Sequence, residues 1–189
     1  LDWRRDLHFV THTTIDTLDY SGSGFNQGSK LILAAAGPVL RVLSHELDGN
    51  LRLPSGWSEP RIGLPGVLVV RGEQYSSPSS RQSFESMCDE LPGDAWRDRY
   101  PLVVVCDDSA FTAQSIENFV WTTFTRSNPA IDVYGIGASQ HDKHFGCTGS
   151  IVIDARSKPH HASGLMEDPA TCRKVDARAA RGGELARYL

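Results

Sequence analysis

The sequence predicts an α/β fold, a layered mixed β-sheet flanked by helices, built as a single domain over residues 1–189. Three observations carry that expectation. Gly66–Arg71 and Leu102–Cys106 are short runs rich in β-branched residues, the composition of strands buried on both faces. Apolar residues recur at 116, 119, 120 and 124, a helical stripe between Ser115 and Arg126. Strands and helices alternate in the second half while the first 43 residues read as paired strands, so the sheet is mixed rather than purely parallel.

In chain order, His8–Ile15 is dense in β-branched and aromatic residues and reads as a strand. Tyr20–Gly28 is a Gly-rich loop, and Lys30–Ala36 enters a second strand, hairpin-like with the first. Residues 44–65 are polar and broken by Pro54, Pro60 and Pro65, which predicts a long surface connection. Gln74–Ser83 is Ser-rich around Pro78 and is expected to be a mobile loop. Asp132–Ile136 and Ser150–Ile153 are two further strands. Pro169 suits the first turn of a final helix running through Val175 toward Leu185, weakened late by Gly182 and Gly183.

Composition narrows the function classes. Lys plus Arg number 19 against 23 Asp plus Glu, a formal charge of −4, so the electrostatic footprint of nucleic-acid binding is missing. The most apolar stretch, Leu31–Leu43, is interrupted by Gly37, Pro38 and Arg41, well short of the ~20 apolar residues of a membrane span. Cys88, Cys106, Cys147 and Cys172 are widely spaced without a CxxC pair, as in reduced thiols of a cytoplasmic protein.

Asp107 and Asp108 follow the buried strand Leu102–Cys106, at the end where open α/β sheets place their ligand crevice. They suit acid/base or metal work, and equally the cap of a following helix. His141-x-x-His144-x-x-Cys147 carries zinc-type donors, with Asp154 as a further oxygen, but its spacing fits no closed zinc site. With Asp108 the two histidines would suit a metal hydrolase, whereas a polar loop is the plainer account. Gly22, Gly24 and Gly28 before Ser29–Lys30 can wrap an anion, yet the pattern is neither GxxxxGK[ST] nor GxGxxG, and a hairpin loop explains it more simply. Cys106 ends a buried strand and reads as core. No self-sufficient catalytic constellation emerges, which points to a site completed by another chain or domain.

Longer-range order adds a resemblance. Val103-Val-Val-Cys-Asp107-Asp108, Trp121-x-x-x-Thr125-Arg126, Pro129 with Asp132, and Ile153-Asp154-Ala155-x-x-Lys158 resemble, in that order, the C-terminal domain of the UbiD-like decarboxylases. Upstream, Thr14–Tyr20 with Gly22, and Asn26-x-Gly28-Ser29-Lys30, are similar to one branch of that family. The likeness runs from about His8 to Pro169. His141–Cys147 departs from the more apolar, Pro- and Gly-rich stretch of the family, which bears on pocket polarity.

The resemblance implies the layered α/β fold of that C-terminal domain and a reversible, non-oxidative (de)carboxylation of an aromatic or α,β-unsaturated carboxylic acid. It also implies that the catalytic residues, together with prenylated FMN, a divalent metal and potassium, belong to a larger UbiD-like catalytic chain or domain, with no catalytic residue and no cofactor on this chain. Its expected contribution is assembly into an oligomer and part of the pocket wall. The pocket-facing candidates are Asp19, Tyr20, Asn26, Lys30, His141 and His144. A non-catalytic binding or assembly module derived from such a domain is the alternative. For the shared motif residues, Trp121 and Phe124 are expected to pack the helix on the sheet, Arg126 to pair with Asp132 or a helix-terminal carbonyl, and Asp154 to cap a turn.

Overall fold

The computed structural model describes residues 3–14, 24, 27–77, 79–91, 93–162 and 168–188. Helix α1 (Trp3–Asp6) leads into β1 (Leu7–Thr13), which pairs antiparallel with β2 (Gly28–Leu33), from Leu7 opposite Leu33 to Thr13 opposite Gly28. The main sheet contains β3 (Ser58–Leu64), β4 (Val67–Arg71), β5 (Leu102–Cys106), β6 (Val133–Gly135) and β9 (Ile151–Asp154), in the order β3-β4-β5-β9-β6. β4, β5 and β9 are parallel, with Val104 between Val69 and Ile153. β3 and β6 close the two edges antiparallel, giving the mixed sheet the sequence predicts. A second hairpin, β7 (Ala138–His141) and β8 (His144–Cys147), stands apart from the main sheet. It meets the first hairpin where the Phe9 and Phe145 rings pack edge to face, 5.7 Å between centroids.

The central strands are buried on both faces, which is why their residues do not alternate with polar ones. On one face Leu68, Val70, Val103, Val105 and Val152 pack under α2 (Ser79–Glu90) and α3 (Gly93–Arg99) through Phe84, Cys88 and Trp96. On the other, Val67, Val69, Val104 and Cys106 meet Phe119 in a smaller cluster under α4 (Ser109–Thr112) and α5 (Ile116–Thr125). The short α6 (Pro129–Asp132) precedes β6, and α7 (Pro169–Ala179) ends the set.

Several expectations need correction. Residues 44–65 are not all connection, because Ser58–Leu64 forms β3. Pro60 is tolerated since β3 lies on the edge, where the register also shifts. Gln74–Ser83 is not wholly loop: Ser79–Ser83 is the first part of α2, whose buried stripe is only Phe84 and Cys88. Trp121 and Phe124 do not pack α5 on the sheet; they are 55% and 44% exposed, and Phe119 with Thr123 faces inward instead. The final helix starts at Pro169 as expected, capped by the Asp168 carboxylate, but ends at Ala179. No helix among the described residues is long and apolar enough to cross a membrane.

Leu68 is fully buried at the centre of the larger cluster. Leu68→Ala removes that packing and leaves a cavity, so a loss of about 2–5 kcal/mol is expected. Urea unfolding checks it; a loss below about 1 kcal/mol would contradict the assigned core.

Candidate functional site

The carboxyl ends of the parallel strands converge on a buried set of charges. β9 finishes at Asp154 and the chain continues through Ala155, Arg156 and Lys158, with Asp154, Arg156 and Lys158 all 5% exposed or less. The Asp154 carboxylate accepts from Arg156 Nε at 2.8 Å and Nη2 at 2.9 Å, a bidentate pair, and from the Arg156 backbone N–H at 3.1 Å. Arg156 Nη1 donates to the Glu73 carbonyl at 2.9 Å, and the guanidinium lies 5.0 Å from the Phe84 ring centroid and 5.7 Å from that of Tyr75. Burial opposes this charge, but the hydrogen bonds and negative charge of Asp154 outweigh it and hold the Arg156 pKa above its ordinary value.

Lys158 Nζ donates to three carbonyls, Asp154 at 2.9 Å, Arg126 at 3.0 Å and Arg156 at 3.2 Å. It lies 3.4 Å from Asp132 Oδ2. That carboxylate accepts from the Asn128 N–H at 2.7 Å, and Arg81 approaches its Oδ1 at 3.8 Å. Burial pushes the Asp132 pKa up, against the opposing charge of Lys158. Asn128 caps α6, accepting from Ala130 N–H at 3.1 Å, and its Oδ1 also takes the Ser29 hydroxyl. The Ala130 N–H reaches Ser29 Oγ at 2.9 Å, so the N-terminal hairpin is tied into the same network.

Beside it is a cleft of about 510 Å³ between the 54–57 turn, the 73–76 segment and α2, floored by Trp57, Phe84 and Met87. Arg156 is the cation in its lining, and Glu73 and Glu90 line it too.

The residues singled out from sequence fall elsewhere. Asp19, Tyr20 and Asn26 lie outside the described residues. Lys30 is exposed on β2 opposite Val10. His141 and His144 face one another across the β7–β8 hairpin, both exposed, around a turn in which Asp142 and Lys143 have φ of 47° and 66°. Strand alternation sends Cys147 to the opposite side of β8 from His144, so the three donors do not converge. Asp108 caps α4, accepting from the Phe111 N–H at 2.9 Å, while Asp107 accepts from the Ser157 N–H at 2.7 Å. Among the described residues no three His, Cys, Asp or Glu side chains gather as a metal centre. Cys106 is core, its thiol directed at the Val70 carbonyl and pushed up to about 11 by burial. Arg126 bonds the Ala162 carbonyl at 2.9 Å rather than Asp132, and Asp154 holds Arg156 as well as its turn.

Residues 1–35, the first hairpin included, match the family described as 3-octaprenyl-4-hydroxybenzoate carboxy-lyase C-terminal domain. A Chlamydia pneumoniae protein, named as one of the subunits of 4-hydroxybenzoate decarboxylase, is 30% identical over 174 residues, 92% of this chain and 28% of that one. The chain is thus similar to the UbiD C-terminal domain. An uncharacterized protein of Chlamydia trachomatis serovar D is 34% identical over 181 residues, 94% of this chain and 29% of that one, and one of Chlamydia caviae is 30% identical over 174, 92% of this chain and 28% of that one. The chain thus spans under a third of the length of the curated relatives it matches.

The UbiD-like motif residues acquire a physical role here. Asp132, Asp154, Lys158 and the Arg126 carbonyl, distant in sequence, meet in one network. Sequence reasoning missed Ser29, Asn128, Arg81 and Arg156 as its members. Asn128 before Pro129 is a helix-start signature that marks one of them.

Lys158→Met leaves two buried carboxylates facing a thioether and should cost about 3–5 kcal/mol; thermal or urea unfolding measures it, and a near-neutral change would show the network to be dispensable. Asp132 adds a pH signature. Its folded-state pKa is raised above the ordinary 3.8, so its stabilising contribution is complete below that value and lost as pH rises through the raised one. Unfolding series between about pH 4 and about pH 7 should therefore move in favour of Asp132→Asn over wild type as pH rises. A difference that stays constant or moves the other way contradicts the assignment.

Proposed function

We propose that the chain is the C-terminal component of a UbiD-like decarboxylase, acting on an aromatic or α,β-unsaturated carboxylic acid and inactive by itself. One observation carries the reading. The charged groups gathered at the carboxyl edge of the sheet are committed to one another and to backbone carbonyls, leaving Lys158 three hydrogen bonds and Arg156 a bidentate partner. Groups so held build a scaffold, and proton transfer to a substrate falls to residues of a partner chain or domain. The length of the relatives and the naming of the Chlamydia pneumoniae protein as a subunit support such a division.

A flavin phosphate does not fit the cleft beside Arg156. The guanidinium there already donates to Asp154 and Glu73, and Glu73 and Glu90 add carboxylates to the lining. On this reading prenylated FMN, with its divalent metal and potassium, is held by the larger partner, where it would supply the decarboxylation chemistry. This chain contributes assembly and pocket wall, with Lys30, His141 and His144 exposed on the two hairpins as wall candidates beside Asp19, Tyr20 and Asn26.

The purified 189-residue chain, supplied with prenylated FMN, should release no carbon dioxide from aryl or acrylic acids. Mixed with the larger UbiD-like chain of its host, it should support release. Turnover by the lone chain, or an assembled enzyme equally active without it, would overturn the reading.

A further inference from the structure

We infer that the outer face of α4 and α5 is the surface on which the larger, catalytic part of the enzyme docks, an inference that rests on the proposed function. The face consists of Phe111, Ile116, Val120, Trp121 and Phe124, each between 44% and 55% exposed. α5 is apolar on two sides: Phe119 packs under Val69 on the sheet, while Ile116, Val120 and Phe124 recur every fourth residue on the outer side. A helix apolar on two sides has more to bury than its own fold covers, so this one is covered from both directions in its working state.

One feature identifies the occupant. The relatives carry about 70% of their length outside the matched stretch, more than enough chain to cover a helix face. The complementary surface is therefore an apolar patch on the UbiD-like catalytic chain or domain.

The test is binding of the 189-residue chain to that catalytic chain from the same host, by titration and by hydrogen exchange of the complex. The double variant Val120→Glu/Trp121→Glu alters exposed side chains, and an unchanged unfolding midpoint verifies its fold. Its dissociation constant should rise at least about 100-fold, or about 2.8 kcal/mol at 1.4 kcal/mol per decade. Val175→Glu, on α7, should bind as wild type does. Exchange should slow across α5 in the complex. If wild type binds and the double variant binds equally well, the docking face is wrong while the proposed function stands. If wild type does not bind, either as a monomer or as a self-dimer protected along α5, both readings fall together.

Discussion

The ammonium of Lys158 is the point on which the carboxyl edge of the sheet depends. Its three donors take carbonyls from the end of β9, from the following turn and from the C-terminus of α5, so one side chain fixes three backbone segments. Its charge is balanced by Asp132, which closes α6, and more distantly by Asp154. Desolvating such a cation costs several kcal/mol, and only complete hydrogen bonding with nearby carboxylates makes the burial tolerable. The network extends through Asn128 to Ser29, which matters because β1 and β2 form no ladder with the main sheet. A two-stranded hairpin is marginal alone. Here it is held by the Asn128–Ser29 contact and by Phe9 against Phe145.

The same saturation limits the chemistry available at this edge. In open α/β sheets the crevice beyond the parallel strands is the usual ligand site, and here Asp132, Asp154, Arg156 and Lys158 are paired with one another. Asp107 and Asp108 follow the same logic, the first held by the Ser157 N–H and the second capping α4. A carboxylate that anchors a backbone N–H is held in place with an acceptor oxygen already engaged. The proposed function asks for such a scaffold from a stretch that matches under a third of its relatives' length.

What was legible in the sequence followed burial. β4, β5 and β9 are runs of Val, Ile and Leu because helices or loops cover both faces, and continuous apolar runs report that directly. β3 was hidden because an edge strand tolerates Pro60 and the shifts of register that break alternation. α2 was hidden because it buries only Phe84 and Cys88, too narrow a stripe to stand out among serines. The charge network was visible in part, since Asp132, Asp154 and Lys158 sit in ordered motifs. Its partners Arg81 and Ser29 lie 51 and 103 residues from Asp132, and only the topology brings them near.

The stripe on α5 shows how a correct period can still assign the wrong face. Residues 116, 119, 120 and 124 repeat as an amphipathic helix should, and the simplest inference directs them all to the core. Phe119 alone obeys, joined by Thr123, because the second face of the sheet offers only the small cluster around Val69 and Val104. Ile116, Val120 and Phe124 turn outward. Periodicity reports how many apolar faces a helix needs buried, not whether one chain supplies every surface that buries them. A helix with more apolar stripe than its own fold consumes is thus a statement about assembly, written in the same residues that state the fold.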